Sequence, residues 1–133
     1  VNNRILLIDD DLIVRQTIVN VLTDAGYEVA SAGDGLSGMR AYRHSRPDLV
    51  ITDIIMPDQE GIQTLMEIHK VDPTAKVIAI SGGGRTSNLR ILDVARTMGA
   101  SDTLAKPFDL EELLTVVRRW LPLDTDPPSN NQN

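Results

Sequence analysis

In the stretch RILLIDDD, four apolar residues run directly into Asp9, Asp10 and Asp11. Two carboxylates about 4 Å apart repel by roughly 4 kcal/mol at an effective dielectric near 20, so such a cluster calls for a cation. Three more polar residues end apolar runs in the same way: Asp53 after LVIT, Ser81 after VIAI and Lys106 after TLA. Carboxylate oxygens suit a hard divalent ion such as Mg2+, which commonly takes one or two of them together with water and phosphate oxygens. The ion in turn relieves the repulsion between them. A lysine and a hydroxyl are wrong for a metal cage. They suit the outer oxygens of a phosphoryl group, for which a carboxylate can be the nucleophile.

These residues need a scaffold that brings distant runs to one edge. Apolar runs of strand length fall at residues 5–8, 28–32, 49–51, 76–80 and 103–105, several of them β-branched and without strict alternation, as in strands buried on both faces. Between them lie helical stripes: Ile13, Ile18, Val21 and Leu22; Ile62, Leu65, Met66 and Ile68; Leu89, Leu92, Val94 and Ala95; Leu110, Leu113, Leu114 and Val117. A weaker fifth helix covers residues 36–44, and Gly26, Pro47, Pro73, Gly99 and Pro122 supply stop signals. Alternating strands and helices predict an α/β fold, (βα)5, with a parallel sheet covered on both faces. Sheets of this kind bind ligands outside the carboxyl ends of their strands. Four of the five predicted strands deliver a charged or hydroxyl group to that edge.

Composition narrows the function. The 133 residues suffice for one domain, predicted over residues 3–121, with residues 122–133 a disordered tail or the start of a linker. A formal charge of −6 and 3% aromatic content argue against direct nucleic-acid binding. There is no cysteine for disulfides or thiolate metal sites, and no apolar run long enough to span a bilayer, so a cytoplasmic location is expected.

The segments LLIDDD, DLVITDIIMPDQEG, VIAISGG and GASDTLAKPF together resemble the signature regions of response-regulator receiver domains, in order and at similar separations. The resemblance implies a doubly wound, flavodoxin-like sheet of order 2-1-3-4-5. It implies that Asp53 is phosphorylated by a sensor histidine kinase or histidine phosphotransfer protein in two-component or phosphorelay signalling. It assigns Asp9, Asp10 and Asp53, with the backbone carbonyl of Ile55, to Mg2+, for which Mn2+ can substitute. Ser81 becomes the switch hydroxyl, Lys106 the partner of the phosphoryl group, and the Lys106–Pro107 bond cis. The implied function is a switch with weak intrinsic autophosphorylation and autodephosphorylation, not an enzyme in turnover. It acts on a downstream protein or a fused effector, as a monomer or a phosphorylation-dependent dimer, without membrane or direct nucleic-acid contact. The alternative is a Mg2+-dependent phosphohydrolase working through an aspartyl phosphate; that class usually carries a second carboxylate two residues after the nucleophile, where this chain has Ile55. A flavin carrier would need a Ser/Thr-rich phosphate loop after the first strand, which DDDLIV does not supply.

Other residues have plainer readings. Asp11 is expected to cap the first helix, Asp58 and Glu60 to start the third, and His44 and His69 to lie on the surface. SGGGR lacks the G-x-x-x-x-G-K-[ST] pattern of a P-loop. Arg40, Arg43 and Arg46 read as a solvated helix face, with an acidic docking partner as the second reading. Two departures from the family stand out. Thr103 occupies the slot where receivers commonly carry an aromatic relay, so switching is expected to rely on Ser81 and the loop at Gly82 to Gly84. Ile55 and Gly83 cannot orient a hydrolytic water, so slow self-dephosphorylation is expected.

Overall fold

The run Ile5, Leu6, Leu7, Ile8 is apolar at every position because both faces of its strand are covered. Side chains alternate along a strand: Ile5 and Leu7 enter one core cluster, Leu6 and Ile8 the other. The structure, a computed structural model, describes residues 2–54, 60–81 and 86–123. They form β1 (Arg4–Ile8), α1 (Leu12–Asp24), β2 (Glu28–Ala32), α2 (Gly35–Ser45), β3 (Leu49–Asp53), α3 (Glu60–Val71), β4 (Val77–Ser81), α4 (Thr86–Thr97), β5 (Asp102–Ala105) and α5 (Leu110–Trp120). The sheet is parallel throughout, in the order β2-β1-β3-β4-β5, as the resemblance implies. Helices α1 and α5 cover one face with Ile18, Leu22, Leu113 and Val117. Helices α2, α3 and α4 cover the other with Met39, Tyr42, Leu65, Ile68, Leu92 and Ala95.

Caps set where the helices begin, next to the strand ends. Asp11 accepts from the backbone N–H groups of Ile13 and Val14 at 3.0 and 3.1 Å, so it is a helix cap as expected. Asp34 caps α2 through Ser37, and Asp109 with Glu112 forms a reciprocal capping box on α5. At the far end, the Tyr27 hydroxyl donates to the Leu121 carbonyl at 2.7 Å and the Lys76 ammonium to that of Trp120 at 3.1 Å. Both carbonyls are orphans of the last helical turn. Packing continues to Leu123, whose Cδ1 lies against Gly26, a turn residue at φ 107°.

Asp102 ties α5 to the start of β5. It accepts from the Arg119 guanidinium at 2.7 Å, the Trp120 indole at 2.9 Å and the Thr103 N–H at 2.9 Å. Burial works to raise its pKa, but the Trp120, Thr103 and Arg119 donors outweigh burial and hold the carboxyl below the usual range. A depressed folded-state pKa stabilises above the unfolded value, and the contribution disappears as pH falls through the folded value. Asp102→Asn is therefore expected to cost about 1–2 kcal/mol near neutral pH. In urea unfolding the gap should close as the pH is lowered toward about 2; a gap that stays constant with pH would contradict the ion-paired role of this carboxylate.

Each predicted helical stripe contains one residue that the structure turns outward. Ile13 is 75% exposed, and Met66, Val94 and Leu110 are also exposed. Ile13 and Leu110 stand in the first turns of α1 and α5, at the helix ends beside the carboxyl edge of the sheet. The expectation for His69 is also corrected. Its ring is partly buried, with Nε2 at 3.1 Å from the Ala75 carbonyl, and packs where Gly99 has no side chain. His44 is exposed as expected.

Candidate functional site

Strand parity explains why three of the predicted residues meet. Asp9 continues the alternation of Ile5 and Leu7, Asp53 that of Leu49 and Ile51, and Lys106 that of Leu104, all on the α1/α5 side. The strand register brings them level: Ile8 pairs with Thr52, Asp53 with Ile80, and Ser81 with Ala105. The ladder runs past the strand ends, with Ile54 N–H to the Ile80 carbonyl at 2.9 Å and Lys106 N–H to that of Ser81 at 2.7 Å. Each of Asp9, Asp10 and Asp53 then offers one carboxylate oxygen within 4.8 Å of the others.

The Lys106 ammonium donates to Asp9 Oδ2 and to Asp53 Oδ2, both at 3.0 Å. Asp9 is fully buried and Asp53 nearly so, whereas Asp10 is exposed. Burial pulls the Lys106 pKa down, but Asp53 and Asp9 more than compensate and hold it above the ordinary lysine value. Asp9 is also anchored by the Asp11 N–H, at 2.9 Å from its Oδ1. Among the described residues, no donor reaches the Asp10 side chain. An ammonium shared by two buried carboxylates, with a third opening to solvent, makes an anionic pocket whose oxygens suit a hard divalent ion.

Ser81 is placed at the end of β4, on the alternation of Val77 and Ala79. Its Oγ is buried with no hydrogen-bond partner among the described residues. A buried hydroxyl without a partner costs free energy until something accepts its proton. The donor set fits a divalent ion and a phosphoryl group: carboxylates for the first, an ammonium and an unpaired hydroxyl for the second. The Lys106–Pro107 bond is cis, as the resemblance implies. Ile55, Asp58 and Gly82 to Gly84 lie outside the described residues, as do the Glu60 side chain and the tail from residue 124.

Thr103 is not idle in the position of the absent aromatic. The Arg96 guanidinium on α4 donates to its hydroxyl at 2.6 Å and leans on Asp93 at 3.4 Å. Arg40, Arg43 and Arg46 are exposed, with Arg46 lying 6.0 Å from the Tyr42 ring centroid.

Sequence reasoning missed three features. Arg15 Nη1 donates to the Asp9 carbonyl at 2.7 Å. Gly61 lets α3 cross hard against the end of β3, where a Cβ would clash with Ile54 Cα and the Asp53 carbonyl oxygen. An apolar groove of about 520 Å3, lined by Ile13, Val14, Thr17, Ile18, Pro107, Phe108 and Leu110, reaches Lys106 and so adjoins the pocket. Two of its lining residues, Ile13 and Leu110, are exposed apolar side chains, and in the sequence the helical stripes hide that signal.

Comparison with known proteins adds independent findings. The response regulator receiver domain family model matches residues 5–118. The chain is 34% identical over 117 residues to the chemotaxis protein CheY of Thermotoga maritima, covering 87% of this chain and 95% of that protein. It is 37% identical over 124 residues to the DNA-binding transcriptional regulator NtrC of Azospirillum brasilense, covering 92% of this chain and 25% of that one. The crystal structure of a response regulator receiver domain protein from Clostridium thermocellum superposes with a TM-score of 0.81 at 33% identity, covering 88% of this chain and 92% of that one.

Proposed function

The chain belongs to the response regulator receiver domain family, and on that premise we propose that it is a phosphoacceptor switch in which Asp53 receives a phosphoryl group. The observation that carries the proposal is the Lys106 ammonium at 3.0 Å from both Asp9 and Asp53. That contact sets a cation directly against the Asp53 carboxylate in a buried place. A carboxylate oxygen of Asp53 attacks the phosphorus of a phosphohistidine; the O–P bond forms as the P–N bond breaks, and the imidazole leaves with the electron pair. Lys106 transfers a hydrogen bond from Asp53 to a phosphoryl oxygen, and the unpaired Ser81 hydroxyl donates to another. Asp9, Asp10 and Asp53, with the backbone carbonyl of Ile55, would hold a Mg2+ or Mn2+ whose charge offsets that of the entering phosphoryl group.

The donor is a sensor histidine kinase or a histidine phosphotransfer protein. The apolar groove supports a protein donor, because a helix lying along it would carry its phosphohistidine to the pocket that shares Lys106. The product adds negative charge to one end of the sheet and biases the loops and the face around β5 between two arrangements. With Thr103 tied to Arg96, the shift is read through Ser81 and the loop after it, not through a swinging ring. The target is a separate protein or a fused effector, and the relatives include both a protein of similar length and a much longer regulator. No described helix is long and apolar enough to cross a membrane, and a cytoplasmic location accords with that partner set. The domain is assigned to residues 3–121 and the remainder to a tail or linker.

Incubation with Mg2+ and acetyl phosphate, followed by mass spectrometry of the intact chain, tests the proposal. One acid-stable, base-labile phosphoryl group is expected on the wild type and none on Asp53→Asn. An equal gain by the variant would remove Asp53 from the mechanism.

A further inference from the structure

Of the three carboxylates in the pocket, Asp10 alone has no donor on its side chain among the described residues. Asp9 is held by Lys106 and the Asp11 N–H, and Asp53 by Lys106. The direction of the Asp10 carboxylate is therefore set by its backbone, and the peptide that carries it begins at the Asp9 carbonyl. Arg15 Nη1 donates to that oxygen at 2.7 Å, reaching back from the second turn of α1. The guanidinium lies in a notch that a glycine leaves open: a Cβ on Gly33 would sit 2.9 Å from Arg15 Nη1 and 3.6 Å from its Cζ. The N–H of Asp9 is tied to the Ala32 carbonyl at 3.1 Å, so the residue before Gly33 and the residue before Asp10 are joined beside the guanidinium.

We infer that Arg15 is a positioning residue for the metal-binding carboxylates: seated on Gly33, it fixes the Asp9–Asp10 peptide and so aims Asp10 into the pocket. The inference rests on the metal site proposed above. A hydrogen bond from a charged donor is among the stronger kinds and holds a peptide plane in a defined orientation. Outer groups that orient metal ligands commonly matter 10- to 100-fold in metal affinity. Charge alone predicts the reverse, because a nearby cation repels a divalent ion and its removal should tighten binding. The two effects thus have opposite signs and can be told apart.

Gly33→Ala separates them further. The Gly33 backbone is not in the left-handed region, and the atoms a methyl would meet are the mobile end of Arg15. The substitution therefore displaces the guanidinium while keeping its charge and the fold.

The test is titration of the whole chain with Mn2+ followed by electron paramagnetic resonance, with Mg2+ as competitor and thermal melting without metal as the folding control. The expected result is about a 10-fold weaker Mn2+ affinity for both Gly33→Ala and Arg15→Ala. The double variant should be no weaker than either single one, since both remove the same contact. Unchanged or tighter binding by Arg15→Ala, with the wild type binding normally, overturns the inference and leaves the metal site standing. A wild type that binds neither ion overturns the metal site itself. Should Gly33→Ala melt early, Arg15→Ala alone still decides, because only positioning predicts a loss on removing a cation.

Discussion

Replacing Lys106 by Met is expected to destabilise the chain by about 3–5 kcal/mol at neutral pH without divalent ions, and to abolish stable phosphorylation. The ammonium is the shared donor to Asp9 and Asp53, both almost wholly withdrawn from water. Without it, two buried carboxylates lose the cation that both share. Removing one partner from a buried ion pair is costly for this reason, even where the intact pair adds little net stability. A divalent ion takes over part of the lost compensation. The variant should therefore gain more from Mg2+ than the wild type does, its own total gain being roughly 2–3 kcal/mol at an ion concentration 100 times its dissociation constant. Urea unfolding in EDTA and in Mg2+ measures both terms. A deficit of the same size in the two buffers would contradict a pocket in which lysine and metal compensate the same charges.

Gly61→Ala should produce a loss where helix propensity predicts a gain. Alanine is ordinarily favoured over glycine by about 1 kcal/mol in a helix interior, and by some part of that in the first turn, where Gly61 stands. At this position the new methyl would clash with Ile54 Cα and the Asp53 carbonyl oxygen. Those atoms cannot yield as a side chain would, because Asp53 is paired with Ile80 in the sheet and the Ile54 N–H is bonded to the Ile80 carbonyl at 2.9 Å. Helix α3 must retreat instead, opening the core around the buried Leu65 and Ile68. A loss of about 3 kcal/mol is expected, at the upper end of overpacking penalties. The phosphoacceptor should suffer too, since α3 braces the backbone on which Asp53 stands. Gly33→Ala is the internal comparison, because its methyl meets only the mobile end of Arg15. If the two variants unfold at the same urea concentration, the close approach of α3 to β3 does not hold.

The arrangement of strands and helices was legible because the strands are short, because four of the five end in or run into a polar residue, and because burial on both faces removes alternation in β1, β3 and β4. The reading placed Asp53 and Ser81 at strand ends, and both are the last residues of β3 and β4. Asp11 was separable from Asp9 and Asp10 because capping is local, needing only the two N–H groups that follow it. The helical stripes misled at Ile13 and Leu110, since apolar spacing shows which residues share a helix face but not where the sheet beneath it stops, and at Met66 and Val94, which stand mid-helix at the margin of the buried face. His69 was misread for a related reason: its neighbours Ala75 and Gly99 belong to other parts of the chain.

What the sequence by itself determined is the chemistry available at one edge: three carboxylates, a hydroxyl and an ammonium, each ending or just following a run that must be a strand. Residue type and strand period are short-range properties, and both are visible along the chain. Only the tertiary structure decided that one ammonium serves two of those carboxylates and that, among the described residues, no donor reaches the third. It also showed that Arg15 of α1 meets Gly33 of the loop after β2, and that α3 touches the backbone of Asp53. Those facts depend on distances between segments far apart in sequence, fixed by the pairing of β1 with β2 and β3 and of β4 with β5. Residue spacing along the chain carries no record of a contact that exists only once the sheet has assembled.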